Sequence, residues 1–244
     1  MPKKFPVCSI LLVGLSLLNN IHAQNSSSGK SNARMSDSLI ALYRNAVGQA
    51  DRFYNGTEYM GYVMRPKGHP FFESNQMHVS EISVDGVVYS DSVLYDLIDD
   101  ALILKDYNGE YNLRMVDEKI RSFRYMGYLF VRLGASTDST DGMPPGFYEQ
   151  LYNDKTAVFV RHKKQLNTTA IQNEIFSEYV QYDTYFVRKG NEYYQVSSVK
   201  SLLDAFSEKR NEVRRFLREQ HLDFKNDPRH TTRKAAEFFD QLNK

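Results

Sequence analysis

The sequence predicts an α+β fold: a mostly antiparallel β meander with one helix before it and two or three helices after it. First, short β-branched and aromatic runs fill the region from about Val79 to Leu133. Second, Asp85-Gly86 and Asn108-Gly109 separate pairs of these runs, and both dipeptides tolerate the positive φ angles of tight hairpin turns. Third, the apolar residues change to helical spacing after Ser198.

The N-terminal helix is predicted to begin after Ser36, whose side-chain oxygen can accept a hydrogen bond from the first turn. Apolar residues then recur at spacings of three and four, which gives the helix one apolar face. Asn55-Gly56 is expected to end it. Prolines and glycines interrupt Glu58–Phe72, which is predicted as a loop with at most one short strand. The apolar face consists of Leu39, Leu42, Tyr43, Ala46, Ala50, Phe53 and Tyr54.

The predicted meander has one buried face and one solvated face, because Tyr111, Leu113 and Met115 alternate with polar residues. The sheet is expected either to stay open or to curl toward a barrel. A polar loop at Gly134–Gly146 divides the strands into two groups, and a polar stretch ending at Asn173 interrupts the second group. The predicted strands are Glu81–Val84, Val87–Tyr89, Val93–Leu97, Leu102–Leu104, Tyr111–Leu113, Ile120–Phe123, Tyr128–Leu133, Phe147–Tyr152, Ala157–His162, Val180–Arg188 and Tyr193–Val196.

Two or three helices are predicted at the C-terminus. Ser197 or Ser198 can cap the first, and Asp227-Pro228 opens the last with a capping acid and a proline in the first turn. Each segment is apolar on one side, which is typical of helices that pack against a sheet. The apolar positions are Val199, Leu202, Leu203, Phe206, Val213, Phe216, Leu217, Ala235, Ala236, Phe238, Phe239 and Leu242.

Residues 1–23 have the pattern of a cleavable export signal. Lys3 and Lys4 precede an apolar run at Val7–Leu18, and Ala23 is the small residue expected at the cut. A retained membrane anchor is the alternative, but a spanning helix needs about 20 apolar residues, and Asn19 ends this run too early.

The remainder of the chain is therefore expected in the periplasm or outside the cell, with no transmembrane span after cleavage. Residues 24–34 are rich in serine, asparagine and glycine and are predicted to form a flexible leader. Residues 35–244 are then expected to form a single α+β domain.

Composition excludes several classes of function. Cys8 is the only cysteine and would leave with the signal, so disulfides, thiolate metal sites and cysteine nucleophiles are not expected. Loss of Lys3 and Lys4 would leave 29 basic and 30 acidic residues, which does not favour nucleic acid or a membrane surface as a partner. A basic cluster on one predicted helix is interleaved with Glu208, Glu212 and Glu219, which indicates a solvated face: Lys209, Arg210, Arg214, Arg215 and Arg218.

Four short stretches resemble a group of exported Bacteroidota proteins of uncharacterised function. The resemblance implies export and a bacterial source. It implies no activity, cofactor or catalytic residue. The stretches are Tyr54–Tyr59 with Gly68–Phe72, Leu94–Asp96 before Asp99-Asp100, Gly146–Tyr152, and Val199–Leu203.

His69 is the most suggestive candidate for chemistry, because it lies in a loop before two phenylalanines that could form a pocket wall. No partner can be assigned to it from the sequence, so a structural role is favoured. His78, His162, His221 and His230 are scattered and lack the spacing of a zinc site. A second candidate set consists of acids in and near predicted turns, where paired carboxylates or a calcium site are the alternatives to local turn stabilisation: Asp91, Asp96, Asp99, Asp100 and Asp106.

No phosphate-binding glycine loop, dinucleotide fingerprint or serine nucleophile elbow is present in the sequence. No cofactor or metal is therefore predicted, and no residue is assigned as catalytic. We expect a non-catalytic binding or envelope-associated module whose partner is a ligand or an envelope component. The alternative is a hydrolase outside the cytoplasm that uses carboxylates of the meander turns, with or without His69.

The export signal leads to a first prediction. When the full chain is expressed in a bacterial host, the exported product should begin near Gln24, and Ala23→Arg should block cleavage because a large charged side chain does not fit at the cut. N-terminal sequencing and cell fractionation measure both. Ala33→Arg in the leader is the matched control and should be processed normally; a product that stays in the cytoplasm and begins at Met1 would contradict export.

Overall fold

The computed structural model describes residues 53–62, 66–134, 143–171 and 174–243. These ranges form one antiparallel sheet of eleven strands with three α-helices after it, so the α+β meander is confirmed. The predicted signal and leader lie outside the described residues. So does the predicted N-terminal helix, apart from its last residues Phe53 and Tyr54.

Most neighbouring strands of the sheet are also neighbours in the chain. The order is β1-β5-β4-β3-β2 followed by β6 to β11, so β1 pairs with β5 and β2 pairs with β6 out of sequence. The strands are β1 (Gly56–Glu58), β2 (His78–Val84), β3 (Val87–Asp96), β4 (Ala101–Lys105), β5 (Asn112–Met115), β6 (Ile120–Tyr125), β7 (Tyr128–Leu133), β8 (Gly146–Asn153), β9 (Thr156–Ile171), β10 (Glu174–Lys189) and β11 (Glu192–Val196).

Two tight turns fix the register of the first strands. Asp85 and Gly86 join β2 to β3 with φ angles of 49° and 82°, as the dipeptide predicts. Met126 and Gly127 join β6 to β7 in the same way, with φ angles of 49° and 86°. Glycine carries the second positive φ in both turns because it lacks a Cβ that would clash.

The sheet is open rather than closed into a barrel, and β1 and β11 are its two edges. It is nevertheless strongly bent, because the turn between β3 and β4 reaches β9. Lys164 N donates to the carbonyl oxygen of Leu97 at 3.2 Å, and Arg161 Nη2 lies 3.3 Å from Asp100 Oδ2.

An aromatic core fills the bend. Phe72, in the loop before β2, is 1% exposed and packs its ring 5.0 Å from Tyr128 and 5.3 Å from Phe130, measured between centroids. Two backbone hydrogen bonds hold this loop against the end of β3. Phe72 N donates to Tyr95 O, and Leu97 N donates to Pro70 O. The irregular segment therefore closes one side of the core.

Helices cover the other part of the sheet. They are α1 (Val199–Ala205), α2 (Arg210–Glu219) and α3 (Pro228–Leu242), and they bury an apolar face against β9, β10 and β11. Ser198 caps α1 by accepting from Ser201 N, and Asp227 caps α3 by accepting from His230 N at 2.8 Å. The predicted starts at Ser198 and Asp227 are thus confirmed. None of the described helices is long and apolar enough to cross a bilayer.

The hairpin of β9 and β10 is longer than the sequence pattern indicates. Both strands have 16 residues, so the polar stretch after His162 is strand and not loop. Side chains from Gln165 to Ala170 are all exposed. With no buried face there is no apolar alternation, which is the signal that strand prediction uses.

The aromatic core gives a second prediction. Phe72→Ala should lower the free energy of unfolding by about 3–5 kcal/mol, because it leaves a cavity that the packed rings cannot fill. Phe176→Ala, at a position that is 51% exposed, should change it by no more than about 1 kcal/mol. Urea denaturation measures both values. Equal losses for the two variants would show that Phe72 does not anchor the core.

Candidate functional site

His69 lies beside the loop segment that closes the core. Its ring stacks on that of Phe71 at 6.2 Å between centroids, and Lys164 Nζ donates to the carbonyl oxygens of His69 and Phe71 at 3.1 and 2.6 Å. Burial and the nearby Lys164 charge lower the pKa of His69. The ammonium of Lys164 thus holds the loop to β9 through backbone carbonyls, whereas the ring of His69 lines a separate pocket of ≈ 370 Å³ with Tyr59, Tyr62 and Phe71.

Asp96 is buried and Asp100 is partly buried, and the two bind different groups. Asp96 accepts hydrogen bonds from the hydroxyls of Tyr59 and Tyr62 at 2.7 and 2.8 Å. Asp100 accepts from the hydroxyl of Tyr95 at 2.7 Å and pairs with Arg161. Burial, together with these carboxylates, raises the pKa of all three tyrosines. Both acids are therefore occupied in holding the turn between β3 and β4 in place.

The remaining acids are also separate from one another. Asp91 accepts from the hydroxyl of Tyr54, Asp99 lies 3.9 Å from Arg114, and Asp106 accepts from Tyr111 N inside its own turn. Within the described ranges, no group of three acid, histidine or cysteine side chains is arranged to hold a metal ion. The five acids thus do not assemble into a common site there.

A cleft of ≈ 710 Å³ lies between the β6–β7 turn, strand β8 and the start of α3. The Met126-Gly127 turn forms one wall, and the first turn of α3 forms the opposite wall. Its lining contains three arginines and two acidic residues. The cleft is lined by Arg124, Met126, Gly127, Tyr128, Leu129, Glu149, Gln150, Leu151, Asp227, Arg229, His230 and Arg233.

We call this cleft the arginine cleft. A chain of four ionisable side chains ends at it: Asp183, His162, Glu149 and Arg229. His162, which is 4% exposed, lies between two carboxylates: its Nδ1 is 2.8 Å from Asp183 Oδ1, and its Nε2 is 3.0 Å from Glu149 Oε2. Both oxygens of Glu149 also accept from the two terminal nitrogens of Arg229. His162 and Glu149 are buried, whereas Asp183 and Arg229 at the two ends of the chain are partly exposed, and with His162 protonated the four formal charges cancel.

Strand pairing places these groups. Asp183 is directly opposite His162 in the register of β9 and β10, and Glu149 is opposite Val160, two residues before His162 in β9. Residues two apart in a strand point to the same face, so the three side chains meet on one side of the sheet. Arg229, in the first turn of α3, approaches from the helix layer.

The pKa values follow from this arrangement. Burial is the largest single influence on His162 and lowers its pKa, but the hydrogen bonds and charges of Asp183 and Glu149 together raise it above the ordinary value. For Glu149 burial acts in the opposite direction and raises the pKa. The hydrogen bonds and charges of His162 and Arg229 together outweigh burial, so the net shift of the Glu149 pKa is downward. Below its raised pKa His162 is an imidazolium, which can donate to Asp183 and to Glu149 from its two nitrogens.

Arg229 is the link between the buried chain and the cleft. Its side chain is 43% exposed, and its guanidinium lies 5.4 Å above the ring of Tyr128. Arg233 lies one turn further along α3, with Nε 3.3 Å from Glu237 Oε1. Arg124 lies across the cleft, and its Nε is 3.9 Å from the exposed Glu81. Each of these two guanidiniums therefore has one acid partner among the described residues: the exposed Glu81 for Arg124 and the partly buried Glu237 for Arg233.

Sequence reasoning missed this site. His162 was grouped with scattered histidines because its partners lie 13 and 21 positions away, and Glu149 and Arg229 are separated by 80. One signal was present: Glu149 and His162 are ionisable residues in or beside otherwise apolar strand runs. A charged residue at such a position needs a buried partner.

The charge state of His162 gives a third prediction. A raised folded pKa means that its stabilisation is complete below the ordinary histidine value of about 6.5 and is lost as pH rises through the folded pKa. The free energy of unfolding should therefore contain a term that falls above about pH 6.5, by up to about 1.4 kcal/mol per pH unit. His162→Gln should abolish that term.

Urea denaturation between about pH 6 and about pH 9 measures the slope for each variant. His221→Asn is the control, because His221 is exposed and has a φ of 52° that asparagine tolerates. It should keep the slope of the unmodified protein. An unchanged slope in His162→Gln would show that His162 is not ionised in the folded state.

No protein-family model matches this chain, and comparison with curated proteins and with solved structures gives no match either. No relative therefore supplies a substrate, partner or catalytic residue. The function has to be inferred from the geometry and charge of the cleft.

Proposed function

We propose that this protein is an exported binding module and that the arginine cleft holds a small anionic ligand, such as a carboxylate or phosphate compound. The observation that carries the proposal is the cleft of ≈ 710 Å³ with Arg124, Arg229 and Arg233 on its walls. That volume lies within the range of about 300–1,000 Å³ that small-molecule sites occupy.

The charge distribution supports an anion. Glu149 is neutralised by Arg229 and His162, and Asp227 is engaged as the N-cap of α3. Arg124 and Arg233 each have a single acid partner, Glu81 and Glu237, and neither acid lines the cleft. A guanidinium has five N–H donors in a fixed plane, so both retain donors for a planar carboxylate or a phosphate.

The supporting groups are held rigidly, which favours binding. Arg229 is fixed by two hydrogen bonds to a buried carboxylate and by the ring of Tyr128. A ligand that contacts it does not have to order a mobile side chain, and the entropic cost of binding falls accordingly. His162 and Asp183 extend this support beneath the cleft.

We favour binding over the hydrolase alternative for one physical reason. Carboxylate-dependent hydrolysis needs two carboxyl groups on either side of one bond, about 5 to 10 Å apart. Each of the predicted acids instead has hydrogen-bond or ion-pair partners of its own that fix a turn or a loop. The buried Nδ1 of His69 has no hydrogen-bond partner among the described residues, so none of these acids is paired with it.

A fourth prediction tests the ligand class. Arg233→Gln should raise the Kd of the purified protein for inorganic phosphate or succinate about tenfold, because one charge-assisted hydrogen bond is lost. Isothermal titration calorimetry measures Kd, and added sodium chloride should weaken binding further. We choose Arg233 because Arg229 also supports the fold.

The control is Arg215→Gln on α2, whose guanidinium is 68% exposed and lies outside the cleft. Its Kd should equal that of the unmodified protein. Absence of binding for both probes at millimolar concentration would refute a small-anion site. Equal weakening in both variants would instead show that attraction is diffuse and not located in the cleft.

A further inference from the structure

The outer half of the β9–β10 hairpin forms a two-stranded arm, which we define as residues 163–171 and 174–182. Strand β8 pairs with β9 only from Ala157 to Val160, whereas β9 continues to Ile171. At about 3.4 Å per residue the strand extends roughly 37 Å beyond its last pairing with β8. On the opposite side, Lys67 forms a single bridge to Glu178 of β10.

The outer edge of β9 in this arm presents a row of backbone hydrogen-bonding groups. Lys164 N donates to Leu97 O, so Lys164 points its N–H away from β10. Alternate residues of an antiparallel strand point the same way, so Leu166, Thr168 and Ala170 also direct their N–H and C=O outward. The bridge to Lys67 supports this assignment. Lys67 N donates to Ser177 O, so the backbone of Ser177 points away from β9, and the backbone of Thr168, which is opposite Ser177, must then point away from β10.

Within the described ranges, none of these six outward groups has a backbone partner. The edge also lacks the usual protection against pairing. Gln165–Ile171 contains no charged residue and no proline, whereas exposed edges normally carry lysine, proline or a bulge. The two terminal strands of the sheet offer much shorter edges than this arm. β1 has three residues, and β11 has five and begins with the charged Glu192.

We propose that this edge of β9 pairs with the same edge of a second copy of the chain, antiparallel and across a two-fold axis at Thr168. In that register Thr168 faces Thr168, Leu166 faces Ala170, and all six outward groups form hydrogen bonds. The two arms then form one four-stranded sheet. A two-stranded ribbon is marginally stable by itself, whereas three or more strands are stable, so pairing stabilises the arm.

The sequence of the edge fits a second copy in particular. A two-fold pairing places Thr168 opposite its own symmetry mate and brings each neighbouring residue close to its mate, so a charge at or beside the axis would meet a like charge. Gln165–Ile171 contains none. Ile175 is 77% exposed and opposite Ala170 on the same face as Leu166, so the pairing brings apolar side chains of both copies together.

The test has two independent readouts on the full chain. Sedimentation equilibrium over a range of protein concentrations should show a monomer–dimer equilibrium. Hydrogen exchange followed by NMR should show that the amides of Leu166, Thr168 and Ala170 become protected as concentration rises. The amides of Gln165, Asn167 and Thr169 face β10 and should be protected at every concentration.

Variants locate the interface. Thr168→Pro should weaken the dimer more than tenfold, because proline cannot donate outward and the pairing with β10 does not use that N–H. Thr168→Lys should weaken it about fivefold, because two lysines then face each other at the axis. Thr169→Lys is the matched control, since Thr169 faces the other side of the sheet and lies off the axis, and it should leave the dimer unchanged.

Several results would overturn the proposal. One is a protein that stays monomeric at millimolar concentration with unprotected amides at Leu166, Thr168 and Ala170. Another is a dimer that Thr168→Pro and Thr168→Lys leave intact. If a Thr168 variant fails to fold, the exchange pattern of the unmodified protein decides, because no other interface predicts protection of alternate amides.

Discussion

The register of β8, β9 and β10 is the constraint on which the rest of the structure depends. It places His162 between Glu149 and Asp183, and it places Val158 and Val160 on the same face, beneath the helices. A slip of one residue would turn His162 to the other face, so Asp183 would lose its histidine partner and the buried Glu149 would keep Arg229 alone. Breaking a buried ion pair in this way costs about 3–5 kcal/mol, so the charges select the register that the apolar residues also prefer.

The same charges attach the helices to the sheet. Arg229 binds Glu149 at the start of α3, and near the end of that helix Asp240 accepts from Thr156 N and from the hydroxyl of Tyr152, both at 3.0 Å. Two polar contacts separated along the helix fix its direction, which an apolar face alone does not. The walls of the arginine cleft are therefore set by contacts that also stabilise the fold.

The two proposals rest on different parts of the molecule and different physics. The cleft lies where the sheet is covered by α3, and its support is a network of ionised groups. The arm lies where the sheet is uncovered, and its support is an uncharged row of backbone donors and acceptors. Loss of anion binding would leave the edge of β9 unchanged, and loss of the dimer would leave Arg124, Arg229 and Arg233 in place.

Local patterns in the sequence were sufficient for the fold class. Asp85-Gly86 encodes its own turn, the caps at Ser198 and Asp227 encode the helix starts, and apolar alternation marks most of the strands. The polar half of β9 was missed because an exposed hairpin has no buried face to mark it. The hydrolase alternative grouped His69 with the turn acids, but each of these acids has a structural partner of its own in the described residues.

The sequence by itself thus determined the meander, the C-terminal helices, the absence of a thiol after residue 8, and the expectation of export. Only the tertiary structure brought Glu149, His162, Asp183 and Arg229 together. The reason is physical: turns and caps depend on neighbours within a few residues, whereas a buried charge is compensated by whichever partner the strand register and helix packing place beside it.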